Sequence, residues 1–192
     1  MKICVYGAAS NSIDKIYFES TTLLGIEIAK RGHNLVYGAG AGGLMGAAAR
    51  GCHQGGGTVT GVVPKFFNVD GILYEKCDEM IKTDTMRERK QIMEELSDAF
   101  IVTPGGIGTF EEFFEILTLK QLSRHRKPII VFNINGYYDS MQEFIKNAID
   151  QNFMKSESLN LYKVCNNIDE IFEYLDNYVP VEYDLLSLKD VK

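Results

Sequence analysis

Ala99-Phe100-Ile101-Val102-Thr103-Pro104-Gly105-Gly106-Ile107-Gly108-Thr109-Phe110-Glu111-Glu112-Phe113-Phe114 is the stretch that decides the fold. Its opening, Ala99 to Thr103, is a short apolar run that predicts a buried strand. Phe110, Phe113, Phe114 and Leu117 then recur on one helical stripe, which predicts a helix over 109–122. An apolar strand that passes through glycines straight into a helix is half of a βαβ unit.

The same unit recurs on both sides. Lys2 to Tyr6 reads as a first strand ending at Gly7. Asn11-Ser12 suits an N-cap, and Ile13, Ile16, Tyr17, Leu24 and Ile28 share one face of a helix stopped by Gly32. Leu35 to Tyr37 is a second strand, followed by a glycine loop and an Ala-rich helix over 38–54. Thr58 to Val63 is a third, ended by Pro64. Phe66 to Asp78 has no clear period and reads as a loop that covers something. Glu79 to Lys82 (strand), Thr83 to Leu96 (helix), Pro128 to Phe132 (strand) and Tyr138 to Asp150 (helix) continue the alternation. A strand from Val164 and a helix over 168–178 complete it. Strands separated by helices imply parallel pairing and right-handed crossovers. The expected fold is therefore α/β, a Rossmann-like doubly wound parallel sheet with helices on both faces. The expected organisation is one domain over 1–179 and, from Pro180, an irregular tail over 180–192. In such a sheet ligands bind at the carboxyl ends of the strands, which directs attention to the loops after Tyr6, Tyr37 and Thr103.

Composition bounds the function. The chain has 192 residues, 45% of them hydrophobic and 24% charged, and a net charge of −6. One core-forming domain fits, disorder does not, and attraction of the whole molecule to nucleic acid or an anionic membrane is not expected. No apolar run approaches a signal-peptide core or a membrane span, so a cytoplasmic protein is expected. Cys4, Cys52, Cys77 and Cys165 form no C-x-x-C pair, and His33, His53 and His125 are dispersed. No metal site is expected from them.

Two loops carry the chemistry. Gly38, Gly40 and Gly43 have G-x-G-x-x-G spacing, but the acidic residue that a dinucleotide site wants about 20 residues later is absent, and no Gly-Lys-Ser/Thr closes a Walker loop. The loop over 103–109 is sharper. Its glycines let backbone N–H groups converge on an anion at a helix N-terminus, and the Thr109 hydroxyl adds a donor, so a phosphate fits there. A tight turn with Glu111 and Glu112 complementing the helix dipole fits equally. The preceding helix tilts the balance. Met86, Arg89, Lys90 and Met93 lie at i, i+3, i+4 and i+7, which puts Arg89 on the apolar face, where a guanidinium needs an anionic partner. Glu111, Glu115 and Thr118 line a separate face of the later helix.

Met86-Arg87-Glu88-Arg89-Lys90 and Pro104-Gly105-Gly106-Ile107-Gly108-Thr109-Phe110-Glu111-Glu112 resemble the paired M-x-x-R-K and P-G-G-x-G-T-x-x-E motifs of the LOG ("Lonely Guy") family. These are cytokinin riboside 5′-monophosphate phosphoribohydrolases, often mislabelled as lysine decarboxylases. The resemblance runs from Cys4 to about Tyr178. It implies a Rossmann-like homodimer that hydrolyses the N-glycosidic bond of a nucleoside 5′-monophosphate carrying an (N6-modified) purine, giving free base and ribose 5-phosphate. The family's catalytic arginine and glutamate fall on Arg89 and Glu112. Its substrate-contacting positions fall on Lys90, Gly105, Gly106, Ile107, Gly108, Thr109, Glu111 and Thr118. No metal or organic cofactor is implied. Ala39 stands where the family often has a third consecutive glycine, and Ala8-Ala9 replaces a more usual Gly-Ser.

The residues agree with that chemistry. Breaking a ribosyl C–N bond builds positive charge on the sugar, which a carboxylate such as Glu112 stabilises while orienting water. Arg89 either holds that carboxylate or binds substrate. The alternatives are a broader nucleosidase acting on AMP or GMP, and a non-catalytic carrier of a nucleotide or molybdenum cofactor. Apolar Phe114, Ile116 and Leu119, on more than one side of their helix, are the sequence's own hint of a dimer.

Overall fold

Among the described residues, runs of three to six residues, apolar except at the edge strand β4, form seven strands: β1 (Lys2–Tyr6), β2 (Asn34–Tyr37), β3 (Val59–Pro64), β4 (Glu79–Thr83), β5 (Ala99–Val102), β6 (Ile129–Phe132) and β7 (Lys163–Cys165). They are seen in a computed structural model that describes residues 1–67 and 71–182. All pair in parallel, in the order β4-β3-β2-β1-β5-β6-β7. The chain winds outward from β1 to β4, returns to β5 on the other side of β1, and winds outward again. That reversal between β1 and β5 is the crevice where a doubly wound sheet binds its ligand.

Among the described residues six α-helices cover the sheet: α1 (Lys15–Lys30), α2 (Gly43–Gln54), α3 (Met86–Leu96), α4 (Ile107–Gln121), α5 (Asp139–Asp150) and α6 (Ile168–Asp176). Strand side chains alternate, so one strand feeds two cores. In β5, Ala99 and Ile101 enter the cluster under α1, α2 and α6, while Phe100 and Val102 enter the one under α3, α4 and α5. Each fully buried large apolar side chain contributes roughly 1.5–3 kcal/mol relative to exposure, and both faces draw on that term.

The crossing of α1 over α2 rests on glycine rather than on bulk. A Cβ at Gly51 would lie 2.1 Å from the Thr22 carbonyl oxygen, and one at Gly25 would lie 2.3 Å from that of Ala48. A side chain at either position forces the helices apart and moves the loop that opens α2.

Several local readings change. α1 begins at Lys15, with Asp14 at its N-cap, and buries Thr21, Leu24, Gly25 and Ile28, leaving Ile16 46% exposed. Asn11 instead serves the neighbouring helix: its Oδ1 accepts the Gly43 N–H at 2.8 Å. α3 starts at Met86 rather than Thr83, because Thr83 completes β4 and Thr85 caps the helix. β3 and β4 are joined with no helix among the described residues between them. Of the expected tail, residues 183–192 lie outside the described residues. His125 is buried, with Nε2 donating to the Ile116 carbonyl at 2.8 Å and Nδ1 accepting the Lys127 N–H at 3.2 Å. Burial holds its imidazole down to about 4.

Candidate active site

The loops after β1, β2 and β5 meet at the carboxyl edge of the sheet and bound two cavities of ≈ 430 Å³ each. Both are lined by Ala9, Met45, Met86 and Arg89, which makes them one continuous cleft. The half beside α4 is bounded by Gly106, Gly108, Thr109, Glu111 and Glu112. The other half is walled mainly by Met45, Val63, Phe67, Ile72, Leu73 and Met86.

Arg89 joins the two halves. Thr85 caps α3 by accepting the Glu88 N–H at 3.1 Å, while the Glu88 carboxylate accepts the Asp84 N–H at 2.7 Å; this is a capping box shifted so that its second bond closes on the residue before the cap, and it fixes where the helix starts. One turn on, Arg89 points inward and is 7% exposed. Its Nε donates to the Val62 carbonyl at 3.2 Å, and Nη1 donates to Glu112 Oε1 at 3.0 Å. The guanidinium passes so close to the end of β2 that a Cβ at Gly38 would sit 1.8 Å from Nη2. Gly38 is thus the clearance through which the arginine reaches the glutamate, which explains this glycine without a dinucleotide.

Glu112 lies in the second turn of α4, almost withdrawn from water. Burial pushes its carboxyl above the usual carboxylate range, and the charge and hydrogen bond of Arg89 oppose that rise. At the same edge α4 starts without a side-chain cap. Among the described residues nothing accepts from the N–H groups of Gly105 to Thr109. A Cβ at Gly106 or at Gly108 would meet nothing within 4 Å. Five free donors, open space above them and the positive end of a helix dipole make an anion cradle beside the buried carboxylate.

The remaining expected positions divide. Thr109 is buried at the cleft, packed so tightly under the loop that a Cβ at Gly105 would lie 2.1 Å from its Oγ1. Ile107 is 87% exposed and turned to solvent. Lys90 pairs with Glu111 and, at 2.9 Å, with Glu115. Burial lowers its ammonium's pKa, but the two carboxylates outweigh burial and hold it above the ordinary lysine range. Lys90 lines a groove beside the cleft, bounded also by Tyr6, Arg87 and Glu94, and Glu111 borders both. Thr118 is exposed farther along α4 and is not brought into the cleft of its own chain. Among the described residues no three His, Cys, Asp or Glu side chains are grouped to hold a metal ion.

The loop over 66–78 does cover something. Its described residues Phe67 and Gly71 to Leu73 form the apolar wall, held by a Gly40–Leu73 bridge and by Ile72 and Ala39 carbonyls that accept the Ala41 and Tyr74 N–H groups. His53 on α2 latches it, with Nδ1 against Tyr74 Oη at 2.9 Å and Nε2 against Asp78 Oδ2 at 3.0 Å. The partners of His53 lie 21 and 25 positions away, so no local sequence pattern marks this latch. The capping box was legible in Thr85-x-x-Glu88 and was missed. Ala39 occupies its glycine-like position at φ 61°, a strained backbone for alanine that persists where the surroundings enforce it.

Residues 45–175 match the protein family described as "Possible lysine decarboxylase". The cytokinin riboside 5′-monophosphate phosphoribohydrolase LOG2 of Arabidopsis thaliana is 37% identical over 186 residues, covering 97% of this chain and 87% of that protein. LOG7 of the same plant, which carries the same description, is 38% identical, covering 98% and 86%. Among solved structures, the molybdenum cofactor carrier protein of Chlamydomonas reinhardtii superposes with a TM-score of 0.70 at 22% identity, covering 91% of this chain and 95% of that one. At that identity the likeness is one of fold. A chain-long match to the plant proteins, together with the M-x-x-R-K and P-G-G-x-G-T-x-x-E residues meeting in one cleft, places this chain in the LOG family.

Proposed function

We propose that the protein hydrolyses the N-glycosidic bond of purine nucleoside 5′-monophosphates, with preference for an apolar N6 substituent, releasing free base and ribose 5-phosphate. The observation that carries this reading is the Arg89–Glu112 pair, 3.0 Å apart and nearly buried, beside the uncapped start of α4. The 5′-phosphate lies on the N–H groups of 105–109. Glu112 is then the carboxylate that stabilises the developing oxocarbenium ion and orients water. Arg89 keeps Glu112 ionised and fixed in direction against the pull of burial. The base enters the half of the cleft walled by Phe67, Ile72, Leu73 and Met86, whose apolar character suits a prenyl-like substituent.

Lys90 is held as an ammonium by Glu111 and Glu115, the opposite of what an aldimine-forming lysine requires, so the decarboxylase description of the family draws no support from it. Its task in this reading is to hold Glu111 at the rim, within reach of the ribose. Thr118 contacts substrate only if a second copy presents it. With Phe114 41% exposed beside it and Ile116 buried within the chain, the homodimer reading now rests on Phe114, Leu119 and Thr118. Sedimentation at assay concentration checks it, with a monomer counting against it. Among the described residues no helix is long and apolar enough to cross a membrane, and all four cysteines are free, which supports a cytoplasmic setting.

The test is a panel of AMP, GMP, a pyrimidine monophosphate, an N6-prenylated AMP and its riboside, with released base quantified by chromatography. Release from prenylated AMP far above AMP supports the specific reading. Equal release across purines broadens it to a general nucleosidase, and a blank panel favours the carrier. A kcat/KM for the riboside equal to that of its monophosphate removes the phosphate assignment to 105–109.

A further inference from the structure

The anion cradle depends on which way three peptide units face, and two of the three groups that fix them come from the chain after β6, which lines neither half of the cleft. After β6 the chain reverses through Asn135 and Gly136, both left-handed at φ 53° and 71°. Asn133 clamps the reversal: Oδ1 accepts the Tyr138 N–H at 2.7 Å, and Nδ2 donates to Asp139 Oδ1 at 2.8 Å and Asn166 Oδ1 at 3.1 Å. Two adjacent tyrosines emerge with rings 89° apart and both hydroxyls aimed at the loop after β5. Tyr138 Oη donates to the Thr103 carbonyl at 2.8 Å, and Tyr137 Oη donates to the Gly105 carbonyl at 2.6 Å. Between them the Ala8 N–H donates to the Pro104 carbonyl at 3.0 Å.

Each of the three carbonyls of the loop is therefore held by its own donor, those of Thr103 and Gly105 from the chain after β6 and that of Pro104 from the loop after β1. In a planar trans peptide the N–H points opposite to the C=O. Fixing the Pro104 and Gly105 carbonyls fixes the Gly105 and Gly106 N–H groups, each opposite to the carbonyl of its own peptide, and these have no acceptor among the described residues. Without such donors the Gly-Gly peptide is free to flip, since glycine tolerates either sign of φ, and a flipped unit would present a carbonyl oxygen to the anion. Tyr138 is buried and also packs in the core under α5, whereas Tyr137 is 40% exposed, so its hydroxyl is separable from folding.

We propose that Tyr137, with Tyr138 behind it, is a positioning residue that holds the Gly105–Gly106 peptide in the orientation that receives the substrate's 5′-phosphate. The inference rests on the hydrolase reading for its substrate and on the hydrogen bonds of this loop for its mechanism. Tyr137→Phe removes one hydroxyl and keeps the ring. KM for the nucleoside monophosphate should rise roughly three- to tenfold, the scale of one lost net hydrogen bond, with kcat changed much less. The preference for monophosphate over riboside should fall by the same factor, which a general loss of packing would not produce. An unchanged preference, or an equal loss on both substrates, overturns the proposal. Inorganic phosphate binding to the wild-type and Tyr137→Phe proteins, measured by calorimetry, separates the two layers. If no base is released from any substrate, the hydrolase reading has failed, yet weaker phosphate binding by the variant still supports the positioning role and equal binding still overturns it.

Discussion

At its first turns α4 sets Glu112 against Arg89 at 3.0 Å; at its last turn it buries Lys120, whose amine has no hydrogen-bond partner among the described residues and lies 5.1 Å from the Tyr178 ring centroid. Both ends withdraw charge from water, which costs several kcal/mol per ion before compensation. At the first end the compensation is a partner of opposite sign, and the pair faces an open cleft. At the other the cation gains only a ring face, and burial pushes its amine down to about 8. A buried charge in this fold is thus no sign of function by itself. What marks the site is a charge kept buried and paired beside free backbone donors.

The comparison breaks most visibly at Glu112. Glu112→Gln keeps the shape of the carboxyl but should lower kcat by roughly 10²–10³, the scale of losing one preorganised electrostatic group, while KM moves little. Arg89→Ala should be as severe, and the double variant scarcely worse than either, because groups acting as a unit are not additive. Unimpaired turnover in Glu112→Gln would end the catalytic assignment and leave phosphate binding standing. The wild-type kcat/KM should fall on acidification through a pKa above the ordinary glutamate value, as the raised Glu112 carboxyl takes up its proton. Arg89→Met should move that limb to higher pH.

At the other end of the helix the expected sign reverses. Lys120→Met should stabilise the fold by about 1–2 kcal/mol at pH 7, because it removes an unpaired buried cation without opening a cavity. Burial brings the lysine's folded pKa down to about 8, below the ordinary 10.5. Its cost is therefore full below pH 8 and fades as pH rises through 10.5, so the gap in Tm between variant and wild type should narrow over that window. A destabilised Lys120→Met protein would mean that the amine has a partner beyond the described residues.

A smaller effect belongs to His125 under the same end of α4. Burial brings its folded pKa down to about 4, below the ordinary 6.5. Its contribution is present above pH 6.5 and lost as pH falls toward 4, while the unfolded imidazole gains its proton. His125→Gln should flatten that part of the Tm profile, and an unchanged profile would show that other groups govern it.

Least of all should change in Glu88→Gln, one position from Arg89. Glutamine keeps the capping box with Thr85 and Asp84, so turnover should stay within about twofold and stability within a few tenths of a kcal/mol. A large loss of kcat there would show that the start of α3, and with it the aim of Arg89, is set by the Glu88 charge.

The sheet was legible because its strands are short apolar runs bounded by Gly and Pro, and that pattern survives without knowledge of neighbours. Arg89 was legible for a related reason: a cation at i+3 between Met86 and Met93 is out of place on an apolar stripe. The expected face of α1 holds at Tyr17, Leu24 and Ile28 but not at Ile16, and it omits Gly25, whose contact with Gly51 of α2 leaves no mark in a hydrophobic period. The Asn11 cap on α2, the His53 latch and the two tyrosine hydroxyls on the 103–105 carbonyls span 21 to 35 positions, so no local pattern encodes them. Lys120 carried no signal at all, since a lysine in the last turn of a helix is normally solvated.

The place of β1 between β2 and β5 has a consequence for the order of folding. The Thr103 hydroxyl and the Tyr6 carbonyl that join the two sides of the crevice are 97 positions apart. Until Ala99 to Val102 have been synthesised, β1 is an unpaired apolar edge, the kind of edge that invites pairing with another chain. The N-terminal half can form β1 to β4, but it carries neither Glu112 nor the cradle. A chain terminated before Ala99 should therefore aggregate rather than persist as an inactive half. In the whole chain, closure of that central ladder and assembly of the cleft are expected to be one kinetic event.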